Sequence, residues 1–106
     1  MGETDCIDRT VQAYIDRYGV EKNLVVLVEE LAELQQAVCK YLRCGDKAVI
    51  RKNKTEIVAD IRSEVTDVLY CLHYLCGITQ TDWTEYMAMI AGKAADNWRR
   101  LEAAVR

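Results

Sequence analysis

Proline and phenylalanine are missing from this 106-residue chain, and glycine occurs only five times. With so little to break a helix, long helices can run uninterrupted, and an all-α fold is the first expectation. The β-branched Val25-Val26 and Val28 hint at a strand, but the Glu/Leu/Ala/Gln run that follows them favours helix. No apolar run approaches the length that crosses a bilayer. The polar, acidic opening Met1–Asp8 lacks the pattern of a secretory signal, so a cytoplasmic protein with no membrane partner is expected. Charge is nearly balanced: 14 Lys and Arg against 17 Asp and Glu leave a net −3, which argues against nucleic acid as a partner. A small anionic ligand is still compatible with that balance if a metal bridges it to the protein. The five cysteines, Cys6, Cys39, Cys44, Cys71 and Cys76, are odd in number and form no C-x-x-C pair. Most fall within helical apolar patterns, where a free thiol acts as a small hydrophobe, so reduced core cysteines are expected rather than disulfides or a zinc site.

What is present is apolar and helically spaced. About half of the residues are hydrophobic (51%), enough for one domain over residues 1–106 with a sizeable core that a partner would complete. Ile7, Val11, Tyr14, Ile15 and Tyr18 mark a first helix, stopped by Gly19. A second runs from about Glu21 to Arg43 on the stripe Leu24, Leu27, Leu31, Leu34 and Val38, and Gly45 ends it. Asp46 to Lys54 has no stripe but carries Lys47, Arg51, Lys52 and Lys54, which makes it a basic connection with room for a short turn at Ala48–Ile50. Asn53 with Glu56 resembles a capping box opening a third helix on Ile57, Ile61, Val65, Val68, Leu72 and Leu75, stopped by Gly77. Asp82 with Glu85 opens the last, whose stripe is Trp83, Met87, Ile90, Ala94, Leu101 and Val105. Four helices with short connections predict a four-helix, bundle-like domain.

Two of these helices repeat one another. Glu29-Glu30-Leu31-Ala32-Glu33 is echoed 34 positions later by Ser63-Glu64-Val65-Thr66-Asp67. The superposition also matches Leu27 with Ile61 and Leu34 with Val68. Each copy sets two acids three residues apart, so a helix stacks them on one side. At 100° per residue, Glu30 falls inside the rim of the apolar arc, between Val26 and the pair Tyr41 and Leu34. Glu33 falls just outside that rim, and Glu29 points further towards solvent. Glu64 and Asp67 lie along one flank of the third helix's arc, with Asp60 and Cys71.

An ordinary salt-bridged face would place a base three or four positions away, which none of Glu30, Glu33, Glu64 and Asp67 has on its own helix. Two such helices packed together bring like charges close, and a divalent cation between them is the simplest relief. Carboxylate ligands alone suit Mg²⁺ or Mn²⁺ rather than zinc. His73, the single histidine, does not follow either acidic motif at the Glu-x-x-His spacing of di-iron bundles; it is expected at the surface or an interface.

Glu29-Glu30-x-x-Glu33 followed by Glu64-x-x-Asp67 on the next long helix resembles the motif of the MazG-like, all-α nucleoside triphosphate pyrophosphohydrolases. The spacing between the motifs is longer than in many members, and Thr66 stands where Gly is frequent. The resemblance implies that Glu30, Glu33, Glu64 and Asp67 bind Mg²⁺, with Mn²⁺ as a substitute. It implies cleavage of a nucleoside triphosphate to monophosphate and pyrophosphate, in the housecleaning of nucleotide pools. In that reaction Glu29 or Glu33 would orient or deprotonate the attacking water, so Glu29, Glu30 and Glu33 form the catalytic set. It implies a homodimer or dimer of dimers as well. Phosphoribosyl-ATP pyrophosphohydrolases share the fold family and offer a second substrate. A non-enzymatic helical interaction module with a charged groove is the alternative from another class.

Lys93, Asn97 and Arg100 stand at i, i+4 and i+7, in the manner of the K-x-x-x-N-x-x-R-like run that family members often carry. They are donors suited to phosphate oxygens. Compensation of the helix dipole accounts for the arginines equally well, but not for Asn97. Of the aromatics, one or two would stack on a base, and the sequence does not distinguish them from core residues.

Overall fold

The computed structural model describes residues 2–44 and 52–105, apart from the side chain of Thr4. Gly45, Asp46, Lys47, the turn at Ala48–Ile50, Arg51 and Arg106 lie outside the described residues. Five helical segments follow in order: α1 (Glu3–Tyr18), α2 (Val20–Leu42), α3 (Lys54–Leu72), α4 (Tyr74–Thr79) and α5 (Trp83–Val105). No strand occurs among the described residues, and no helix is long and apolar enough to cross a membrane. The all-α expectation is met. The chain divides into two compact units, Met1–Leu75 and Cys76–Arg106.

In the first unit α2 packs along α3, and α1 packs against α2. The α1–α2 joint is a single residue, Gly19, at φ 85° and ψ 163°, a region closed to side chains with a Cβ. Asn23, one turn into α2, is buried, and its Nδ2 donates to Gly19 O at 2.7 Å and to Tyr14 O at 3.2 Å. These bonds tie the last turn of α1 to the first turn of α2 across the joint. Val11, Leu27, Cys71 and Tyr74 form the buried cluster, with Ile7, Ile15, Leu24, Tyr70, Leu72 and Leu75 packed around it. The Tyr70 and Tyr74 rings meet edge to face, their centroids 5.9 Å apart.

α3 opens as the capping-box pattern predicts. Asn53 Oδ1 accepts from the Glu56 N–H at 2.9 Å, while Asn53 Nδ2 donates to Glu56 Oε1 at 2.8 Å. Lys54 Nζ stands 5.6 Å from the Tyr41 ring centre, joining the start of α3 to the last turn of α2.

The end of α3 corrects the sequence reading. The helix does not run to Gly77. It stops at Leu72; the His73 N–H bonds the carbonyl of Tyr70, three residues back, and α4 begins at once, with Gly77 inside it. The stop comes three residues after Gly77, at Gln80, which takes φ 51°. The Thr81 N–H then reaches back to Cys76 O at 3.1 Å, the six-to-one bond of a Schellman ending with Gln80 in the place usually given to glycine. In the second unit Asp82 and Glu85 cap α5 reciprocally: Glu85 N–H donates to Asp82 Oδ1 at 2.8 Å and Asp82 N–H to Glu85 Oε1 at 3.5 Å. Thr79 and Tyr86 hydroxyls bond at 2.6 Å across the bend.

Two further expectations change. His73 is not at the surface; only 8% of it is accessible, and burial lowers its pKa against the opposing charge of Asp8. All five thiols are free, but only Cys71 is a buried core residue, while Cys6 and Cys39 are exposed.

Candidate functional site

The face that α2 turns inward is rotated from the Leu/Val stripe towards its acids. Leu27 and Ala37 are buried, whereas Leu31 and Val38 are 45% and 41% exposed. At 100° per residue, Glu30 lies about 60° from Leu27 and about 20° from Ala37, within the buried arc. Glu33 lies beyond it and is exposed, as is Glu29. On α3 the buried residues are Ile57, Val68 and Cys71. Glu64 stands about 20° from Ile57 and so sits mid-face, whereas Asp67 stands about 80° away on the flank. Three residues apart in one motif, the two acids are unequal in the fold.

Packing of α2 on α3 brings Glu30, Glu33 and Glu64 together: one carboxylate oxygen from each lies within 4.8 Å of the others. Asp67 is outside that group, though close enough for its charge to act on Glu30 and Glu64. Oε2 of Glu30 and Oε2 of Glu64 are both shut off from solvent and accept no hydrogen bond. Burial, followed by the charges of Glu33, Asp67 and Glu64, raises the pKa of Glu30 above the ordinary carboxylate value. Glu64 is raised for the same first reason, then by Glu33, Asp67 and Asp60. The Cys71 thiol is pushed up as well, by burial and then by Glu30 and Asp67.

Beside the acids, a cavity of about 220 Å³ opens between α2 and α3. Its apolar wall is Ala37 and Ile57; Glu33 and Glu64 stand at one end, and Asp60 is a third carboxylate on its lining. Lys52 lines it too and bridges Asp60 at 2.7 Å.

These donors fit a hard divalent cation. All are carboxylate oxygens, Glu30 and Glu64 each bury an oxygen that accepts no hydrogen bond, and the three residues converge from two helices. Lys93, Asn97 and Arg100 follow one another along a single face of α5, all exposed, in the other compact unit. Two features of the site escaped the sequence reading. Asp60 appeared only as a neighbour on the flank; its i−4 relation to Glu64 put it one turn away on the same face, but its bond to Lys52 had no signal. Lys40, also on the cavity wall, had a signal in its i+7 spacing from Glu33, two turns along one face.

No family model, curated protein or solved structure matches the chain.

Proposed function

We propose that the protein is a Mg²⁺-dependent nucleoside triphosphate pyrophosphohydrolase of the MazG-like kind, with Mn²⁺ able to replace Mg²⁺. The observation that carries the reading is the pair of buried, unpartnered oxygens on Glu30 and Glu64, converging with Glu33. Three carboxylates gathered at a helix seam, two of them with a buried oxygen, cost stability unless a cation or protons offset them, and a function that uses the cation accounts for the arrangement.

Glu30, Glu33 and Glu64 would hold the ion, with the charge of Asp67 on the flank adding to its attraction. The bound ion supplies charge neutralisation for the phosphate chain. Glu29, exposed and outside the group of three, or the second oxygen of Glu33 would orient a water and accept its proton as it attacks the α-phosphorus. The bond from that phosphorus to the bridging oxygen breaks, releasing monophosphate and pyrophosphate. Lys93, Asn97 and Arg100 are assigned to the phosphate oxygens by the resemblance and by their donor chemistry. Assembly as a homodimer or dimer of dimers covers apolar side chains that one chain leaves open, such as Val25, Val28 and Leu69.

The test is a pyrophosphate-release screen across canonical and modified nucleoside triphosphates with and without Mg²⁺. Metal-dependent release of pyrophosphate from at least one nucleotide supports the reading. Its absence across the panel, or release of orthophosphate alone, contradicts it.

A further inference from the structure

The cavity beside the acids has a polarity that the carboxylates alone do not explain. Glu33, Gln36 and Lys40 line it from α2, at i, i+3 and i+7 on one face. From Glu33 to Lys40 is about 10 Å along the helix axis, at 1.5 Å per residue. On the opposite wall Lys52 approaches from just before α3 and is held there by Asp60, one turn before Glu64. The cavity therefore has Glu33 and Glu64 at one end, a neutral amide donor midway, and two ammonium groups from different segments, one of them, Lys52, paired with the Asp60 carboxylate that also lines it. An ammonium carries three donors, so Lys52 keeps two after its bond to Asp60.

We propose that this cavity is the seat of the substrate's phosphate chain, with Lys40 and Lys52 binding the phosphates furthest from the metal. The proposal rests on the metal-dependent reading of Glu30, Glu33 and Glu64, and adds to it the direction in which the chain lies. A polyanion bridged by a cation at the acidic end has its remaining negative charge within reach of the two lysines. Gln36 donates to the oxygens between. Asp60 is a positioning residue: its carboxylate, on the same lining, holds the Lys52 ammonium at 2.7 Å. The specificity this confers is for chain length. A triphosphate reaches both ends, and a monophosphate engages one.

The experiment uses the full chain and inorganic tripolyphosphate as the probe. Binding of Mn²⁺ alone, then of tripolyphosphate in saturating Mn²⁺, is measured by calorimetry for the wild type, Lys40→Ala, Lys52→Ala, Lys52→Arg and Lys54→Ala. Lys54 is the control: a cation two residues beyond Lys52, at the start of α3, that faces Tyr41 and does not line this cavity. The expected result is unchanged Mn²⁺ binding throughout. Tripolyphosphate should bind about tenfold or more weakly in Lys40→Ala and in Lys52→Ala, close to normally in Lys52→Arg, and normally in Lys54→Ala. Asp60→Asn should weaken tripolyphosphate binding by a smaller factor, with Mn²⁺ binding retained. Equal tripolyphosphate affinity in the wild type and both alanine variants overturns the cavity assignment and leaves the metal reading standing. Equal losses in Lys54→Ala and the cavity variants overturn it too, because the effect is then general charge. No Mn²⁺ binding by the wild type overturns the metal reading itself, and this proposal with it.

Discussion

Glu30 on α2 and Glu64 on α3 occupy matching places in the sequence repeat, and each buries an Oε2 that accepts no hydrogen bond. Helix packing alone would disfavour such a pair, since each oxygen gives up water and faces other carboxylates. This pair is the ground for proposing a cation at the seam of α2 and α3.

Replacing one of these acids should separate catalysis from folding. Glu30→Gln or Glu64→Gln is expected to lower kcat/KM for the preferred triphosphate by more than about 100-fold, the upper end of what losing even an outer-shell partner costs a metal site. Both variants should remain folded by circular dichroism. Activity within a few-fold of wild type in both, at saturating Mg²⁺, would remove the metal role from these residues.

The raised pKa values of Glu30 and Glu64 predict how the metal-free protein responds to pH. A carboxyl whose folded pKa lies above its unfolded value binds its proton more tightly in the native state. Its stabilising contribution is complete below the unfolded pKa and is lost as pH rises through the folded one. Relative to Glu30→Gln, metal-free wild type should thus lose stability as pH is raised from about 4.5, the ordinary glutamate value. Mg²⁺ should offset that loss at neutral pH and lose its effect in acid, where protonated carboxyls cannot ligate. The readout is the difference in thermal midpoint between the two proteins across pH; a flat difference contradicts the linkage.

For α5 the alternatives give different numbers. If Lys93 and Arg100 grip phosphate, each alanine variant should lose about tenfold or more in kcat/KM, corresponding to roughly 1.5–3 kcal/mol per charge-assisted contact. Metal-dependent stabilisation should persist in both. If the stripe only compensates the helix dipole, kinetics stay unchanged and stability falls by a few tenths of a kcal/mol. Steady-state kinetics of the double variant decide between them.

The α1–α2 joint yields a prediction about stability alone. Asn23→Ala removes two hydrogen bonds to carbonyls of Tyr14 and Gly19 in a buried setting. A cost of about 1–3 kcal/mol is expected in urea unfolding. A cost below about 0.5 kcal/mol would mean that the joint is held by Gly19 and the apolar contacts instead.

Much of this architecture was legible in the sequence because its signals are local. Gly19 stops α1, Asn53 with Glu56 opens α3 and Asp82 with Glu85 opens α5, each within one turn of chain. What was not legible depends on tertiary contacts. A solitary glycine at 77 reads as a stop, yet the bonds from His73 N–H and Thr81 N–H put the breaks elsewhere, and Gln80 takes a left-handed conformation for which no glycine gives notice. His73, next to the core residues Cys71 and Tyr74, is buried by the fold rather than by its own polarity. In the site, the repeat located the acids, but only packing distinguishes Glu64 in mid-face from Asp67 on the flank. Lys52 lies eight residues from Asp60, outside any pattern a helical wheel examines.

The central claim is that the seam of α2 and α3 binds a divalent cation through Glu30, Glu33 and Glu64. Calorimetric titration of Mn²⁺ into the wild type and into the Glu30→Gln, Glu64→Gln double variant tests it most directly. Saturable binding by the wild type, displaced by Mg²⁺ and lost in the folded double variant, is the predicted result. No saturable binding by the wild type, or equal binding by the two proteins, would contradict it.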